Sequence, residues 1–137
     1  MTISTGPEDD FEVAIPGLVD PGASEAFTQT ESGLRYRILR AGKGKMPTAK
    51  DRVTVHYKGW LDNDTIFDSS YRRDETISFG LNQVIKGWTE GMQLVGTGGM
   101  IELEIPYQLG YGERGTPGGP IPPRANLHFL VELFEIN

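Results

Sequence analysis

Very few residues in this chain could do conventional chemistry. There is no cysteine, so thiol nucleophiles, disulfides and cysteine-based zinc sites are excluded. The two histidines, His56 and His128, each fall in the middle of an alternating apolar segment and have no second ligand at metal-binding spacing. No serine sits in a GxSxG elbow. The run Gly42-Lys-Gly-Lys45 lacks the GxxxxGK[ST] pattern of a phosphate loop. The expectation is a site without metal or cofactor. What the sequence offers instead is aromatic residues placed beside breaks in the chain: Tyr57, Phe67, Trp88, Tyr111 and Phe129. Each alone would serve as core packing. Asp68 is odder, because it follows Phe67 directly in IFDSS. An acid beside a core aromatic is exposed, caps a turn, or needs a partner.

A second oddity is the stretch GYGERGTPGGPIPP, residues 110–123, with five glycines and four prolines among fourteen residues. That composition excludes a helix or a central strand. Yet the stretch carries Tyr111 and Ile121 and lies between two apolar alternating segments.

The elements that must position these residues read mostly as strands. Leu34, Tyr36 and Ile38 alternate with polar or flanking residues, as do Val53, Val55 and Tyr57, then Ile101, Leu103 and Ile105, then Leu127, Phe129, Val131 and Leu133. Period-two alternation marks strands with one buried face. Asp62-Asn63-Asp64 reads as a hairpin turn. Only Asn82–Leu94 looks helical, with Val84, Ile85, Trp88 and Met92 near i, i+4 spacing. Gly87 and Gly91 make it a poor helix by propensity, so packing must hold it. Without repeated helical crossovers the sheet is expected to be antiparallel. The fold class is α+β: a twisted antiparallel sheet of five to six strands wrapped around one short helix.

The chain has 137 residues and a net charge of −6, the size of one domain with a tail. Seven acids precede the first basic residue, Arg35, and the remainder carries 12 acids against 13 bases. The acidity therefore belongs to an N-terminal extension, and residues 1–30, which hold six of the seven acids, are expected to be partly disordered ahead of a domain at 31–137. Within it Phe11, Val13 and Ile15 alternate like a short strand. The absence of a basic face argues against nucleic acid. No apolar run reaches the ~20 residues of a membrane helix. With an acidic start and no cysteine, the expectation is a cytoplasmic monomer.

Five segments, VTVHYKGWL, IFDSS, QVIKGWTEGM, GYGERGTPGGPIPP and ANLHFLVEL, in this order and spacing, resemble the FKBP family of peptidyl-prolyl cis–trans isomerases over residues 31–137. The resemblance implies a sheet wrapped on a helix and an activity on X-Pro bonds of peptides and unfolded proteins. It makes Trp88 the floor of the pocket and Tyr57, Phe67, Val84, Ile85 and Phe129 its walls. The Ile85 N–H and the Tyr111 hydroxyl would donate to ligand, Asp68 would lie near the Tyr57 hydroxyl, and Ile121 would point inward from the loop. Ile77 stands where many relatives carry a second pocket aromatic, and Thr116 and Pro120 where the best-known members carry His and Ile. The loop is one residue longer near Gly118-Gly119-Pro120. Macrolide inhibitors are implied as ligands. The alternative is a proline-binding or chaperone module with little catalytic role. Because the matching segments all begin later, residues 1–27 are expected to be dispensable for turnover.

Overall fold

The computed structural model describes residues 14–137. Seven strands form one antiparallel sheet: β1 Thr28–Gln29, β2 Arg35–Arg40, β3 Arg52–Leu61, β4 Ile66–Ser69, β5 Ile77–Gly80, β6 Met100–Ile105 and β7 Leu127–Ile136. The order is β1-β2-β6-β7-β3-β4, with β5 also paired to β3. β4 meets β3 at Lys58–Trp60 and β5 meets it at Arg52–Val55, so the two share one edge of β3 end to end. One helical turn, α1 Ser70–Arg73, joins them, and the chain leaves it through Asp74 in a left-handed conformation. The seventh strand is the two-residue β1, too short to show an alternation in sequence.

The expected alternation is present where the strands are long. Val53, Val55 and Tyr57 of β3, Ile101, Leu103 and Ile105 of β6, and Leu127, Phe129, Val131 and Leu133 of β7 all face one core. The helix α2 spans only Lys86–Gly91 and passes into a 3-10 turn, Met92–Leu94. Its two glycines explain why so poor a helix former is used here. A Cβ on Gly87 would lie 2.6 Å from the Ile105 side chain, and one on Gly91 2.7 Å from Leu103. Their bare faces let α2 lie directly on β6, and that seats Trp88 in the core at 4% exposure.

From Ala14 onward the acidic extension runs against the sheet. The Asp20 N–H donates to the Leu39 carbonyl at 2.8 Å, and the Ala41 N–H donates to the Asp20 carboxylate at 2.9 Å. Phe27 lies beneath the Arg37 guanidinium, 4.7 Å from ring centre to carbon. Of the alternating trio, Phe11 and Val13 lie outside the described residues, and Ile15 is 78% exposed and in no strand.

Candidate functional site

Eight of the ten residues singled out from sequence converge on one cavity of ≈ 380 Å³: Tyr57 from β3, Phe67 and Asp68 from β4, Val84 and Ile85 ahead of α2, Trp88 on α2, Tyr111 from the glycine- and proline-rich loop, and Phe129 from β7. Trp88 is the aromatic that joins most of the others. Its ring meets Tyr57, Phe79 and Phe129 edge-on, with centroids 5.5, 5.2 and 5.3 Å apart. Phe67 meets Phe129 edge-on at 5.5 Å. Edge-to-face geometry satisfies the ring quadrupoles and leaves faces available to a ligand. Gly59 makes this cluster possible. It pairs with Phe129 across the sheet, and a Cβ there would fall 2.5 Å from the Phe67 ring and 2.7 Å from that of Phe129.

The pocket walls differ from expectation at two positions. Ile77 does not line the cavity; it sits at the start of β5, 38% exposed. Phe79, two residues on and on the same face, supplies the second aromatic instead. Alternation puts both side chains on one face but does not say which lies nearer the helix. Ile121 is not a wall either. It is buried in the core at 4% exposure and pins the loop from below. The Thr116 N–H donates to the Ile121 carbonyl at 2.9 Å, and the Ile121 N–H donates to Thr116 Oγ1 at 2.9 Å. Gly115 passes this crossing at φ +67°, where a Cβ would lie 2.3 Å from the Ile121 carbonyl oxygen. The anchored loop then holds Tyr111 at the mouth, 43% exposed. Gln83 is a further lining residue that no sequence signal selected.

Asp68 has the partners its position demands. The Tyr57 hydroxyl donates to its Oδ2. The Arg73 guanidinium donates to Oδ1 at 2.7 Å, and the Ser69 N–H also reaches Oδ1, at 2.9 Å. Burial works to raise the Asp68 carboxyl, but Arg73, Tyr57 and the Ser69 N–H together outweigh it and hold the group below its ordinary value. Burial, then the bond to Asp68, pushes the Tyr57 phenol up to about 12. Burial and the Asp68 charge also raise Tyr111. At neutral pH the site therefore holds one ionised carboxylate and two protonated phenols. None of them is poised to exchange a proton near pH 7, as general acid–base work requires. Ile85 is the N-cap of α2, and among the described residues its N–H has no acceptor in the protein.

These shifts set an acid limit on stability. A carboxyl whose folded pKa lies below its unfolded one contributes stability above the unfolded value, ~4, and loses it as pH falls through the folded value. Asp68 and the buried Glu132 both qualify. Burial raises Glu132, but Tyr71, Arg40 and the Gly17 N–H overcome this and leave it lowered. The unfolding free energy is expected to be level from neutrality to about pH 5 and to fall below about pH 4. Glu132→Gln should flatten that fall in urea titrations across the range. An unchanged acid slope in the variant would show that Glu132 does not carry it.

Known proteins match this chain in sequence and in fold. The family described as FKBP-type peptidyl-prolyl cis-trans isomerase matches residues 43–134. A probable FKBP-type peptidyl-prolyl cis-trans isomerase of Haemophilus influenzae is 52% identical over 108 residues, covering 79% of this chain and 44% of that protein. The FKBP-type 22 kDa peptidyl-prolyl cis-trans isomerase of Escherichia coli is 47% identical over 119 residues, covering 87% and 57%. The crystal structure of FkpA from Escherichia coli superposes with a TM-score of 0.79 at 45% identity, over 83% of this chain and 53% of that one. That of AtFKBP13 gives 0.76 at 35% identity, over 82% and 99%. The chain thus spans about half the length of the curated relatives it matches.

Proposed function

The chain belongs to the FKBP-type peptidyl-prolyl cis-trans isomerase family, and on that footing we propose that it accelerates rotation about X-Pro bonds by holding the proline ring on Trp88. The observation that carries this reading is a pocket of edge-packed aromatics with no proton-exchanging group. Rotation about a peptide bond faces a barrier of roughly 18–20 kcal/mol. The X-Pro ground states are nearly balanced, yet exchange takes tens to hundreds of seconds. No bond to the enzyme need form. The twisted amide has lost resonance, and its carbonyl is less polar than that of the planar form. Water favours the planar amide, so an apolar pocket favours the twisted one by comparison. A differential of about 4 kcal/mol would give roughly a thousandfold in rate. The free Ile85 N–H and the Tyr111 hydroxyl would hold peptide carbonyls, while Asp68 would act as a fixed charge on the twisting amide. The substrates are proline-containing peptides and unfolded chains. The lack of cysteine fits a reducing compartment, and we place the protein in the cytoplasm, to be checked by fractionation. The deciding experiment is NMR exchange of an X-Pro peptide with catalytic amounts of protein. Exchange no faster than the uncatalysed control would leave only a proline-binding role.

Asp68→Ala should lower turnover by about tenfold or less, because loss of one charge–dipole contact leaves the apolar pocket in place. Complete loss of activity in a folded Asp68→Ala variant would point to obligate proton transfer and overturn this mechanism.

Macrolide ligands of the family should compete with peptide for the same pocket. Since Phe79, not Ile77, is the second aromatic wall, Phe79→Ala should weaken macrolide binding by on the order of 1 kcal/mol, about tenfold or less. Ile77→Phe should leave it unchanged. Calorimetric titration separates the two, and a tightening by Ile77→Phe would return that position to the rim of the site.

A further inference from the structure

Glu132 is the one buried charged side chain among the described residues, at 4% exposure, and the pocket chemistry does not use it. Its neighbours Val131 and Leu133 face the core, so it stands on the other face of β7. Replacing a whole buried ion pair by well-packed apolar residues is often neutral or better, so net stability alone does not explain why a pair is kept here. Its contacts suggest another role. Tyr71 donates its hydroxyl to Glu132 Oε1 at 2.6 Å. Arg40 Nη2 and the Gly17 N–H donate to Oε2 at 2.7 and 3.2 Å. Arg40 Nη1 donates to the Leu18 carbonyl at 2.7 Å, and the Ala14 N–H donates to the Tyr71 carbonyl at 2.9 Å. One carboxylate thus gathers residues 14–18, the end of β2 and α1.

α1 connects that cluster to the pocket. It is a single turn of four residues, too short to hold itself. Tyr71 is fully buried and stacks on His56 at 4.6 Å. Ser70 Oγ accepts the Tyr57 N–H at 2.7 Å, gripping β3 just behind the pocket tyrosine. Arg73, the last residue of the turn, is the ion-pair partner of Asp68.

We propose that Glu132 and Tyr71 are positioning residues for the isomerase site: with residues 14–18 strapped behind α1, they set the turn that holds Arg73 against Asp68. This rests on the isomerase reading of the pocket. On it, the segment from Ala14 to Leu18 works as part of the domain, and the step in charge at residue 30 marks composition and not a functional boundary. If the proposal holds, deletion of residues 1–27 lowers turnover, contrary to the expectation that they are dispensable.

The test uses the full chain with Tyr71→Phe and Glu132→Leu. Tyr71→Phe removes one hydroxyl; Glu132→Leu removes the buried carboxylate and leaves Arg40 and the Tyr71 hydroxyl without their partner, so it loses stability and is assayed where urea unfolding shows it folded. Both should lower kcat/KM roughly threefold to tenfold, the size of one typical intramolecular hydrogen bond. The second readout is the Asp68 carboxyl, followed by carbon NMR against pH. Tyr57, Tyr111 and Arg73 are the titratable groups that act on it. Its midpoint should rise in both variants as Arg73 loosens. The third readout is a double-mutant cycle, in which Tyr71→Phe should have no further effect on kcat/KM in an Asp68→Ala background. Variants that lose thermal stability but keep the parent Asp68 midpoint and kcat/KM would overturn the proposal. So would equal losses in both backgrounds. If the parent protein itself fails to turn over, the isomerase reading falls, and the Asp68 midpoint still decides whether Tyr71 and Glu132 position the acid.

Discussion

Trp88→Ala is expected to lower kcat/KM for an X-Pro peptide by about 30–150-fold, a loss on the order of 2–3 kcal/mol that matches a buried aromatic hot spot. The reason is positional. Trp88 is the ring that three others, Tyr57, Phe79 and Phe129, meet edge-on, and Phe67 packs in turn on Phe129. Truncation deletes the surface on which the proline would lie and lets water into the place where the amide twists. The same change should destabilise the fold by about 3–5 kcal/mol, the usual effect of removing a large core aromatic. Against a total of about 5–15 kcal/mol this is tolerable only in the upper part of the range. Urea unfolding must therefore accompany the assay, with turnover measured where the variant is folded. Near-parental kcat/KM in folded Trp88→Ala would remove Trp88 from the site.

Gly87→Ala is expected to destabilise the protein by about 1–3 kcal/mol, against the direction that helix propensity alone would give. In an isolated helix, glycine to alanine is favourable by about 1 kcal/mol. Here the new methyl group would meet three atoms of Ile105 at 2.6, 2.7 and 2.8 Å. Ile105 is fully buried and β-branched, so its side chain has few alternative rotamers. The helix must lift, and Trp88, the next residue, lifts with it. Loss of stability should therefore appear together with a fall in kcat/KM. Gly91→Ala, facing Leu103 at 2.7 Å, should destabilise similarly and perturb turnover less, because it lies a turn further from the pocket floor. A stabilised Gly87→Ala variant would show that propensity outweighs packing at this helix.

The strands of the sheet are readable from local pattern, and most of the pocket from the resemblance of five ordered motifs to a known family. Alternation in the long strands is a local property: side chains at i and i+2 share a face whatever lies across from them. The inner faces of β3, β6 and β7 are therefore legible, and so is the place of α2, although of the apolar i, i+4 stripe only Trp88 lies within its six residues. The family resemblance carried by the ordered motifs implies one site for Tyr57, Phe67, Asp68, Val84, Ile85, Trp88, Tyr111 and Phe129, and all eight line one cavity. The short elements β1, β4, β5 and α1 were not legible as elements, since two to four residues cannot display a period.

What faces what depends on contacts between distant parts of the chain. Ile77 and Phe79 are equivalent by alternation; the seating of α2 on β6 puts Phe79 against Trp88 and leaves Ile77 outside. Ile121 is apolar in a loop of glycine and proline, which does not say whether it lines the pocket or anchors the loop; the core space beneath it decided for the anchor. Gly87 and Gly91 are helix defects by propensity, and only Ile105 and Leu103 lying against them give the reason for a missing Cβ. Asp68 demanded a partner, but Arg73 could be chosen only once α1 turned back toward it. The link from Gly17 to Glu132 joins residues 115 positions apart. Such a contact leaves no local trace, because neither residue's own pattern depends on the other, and it exists only after the sheet has brought both ends of the chain together.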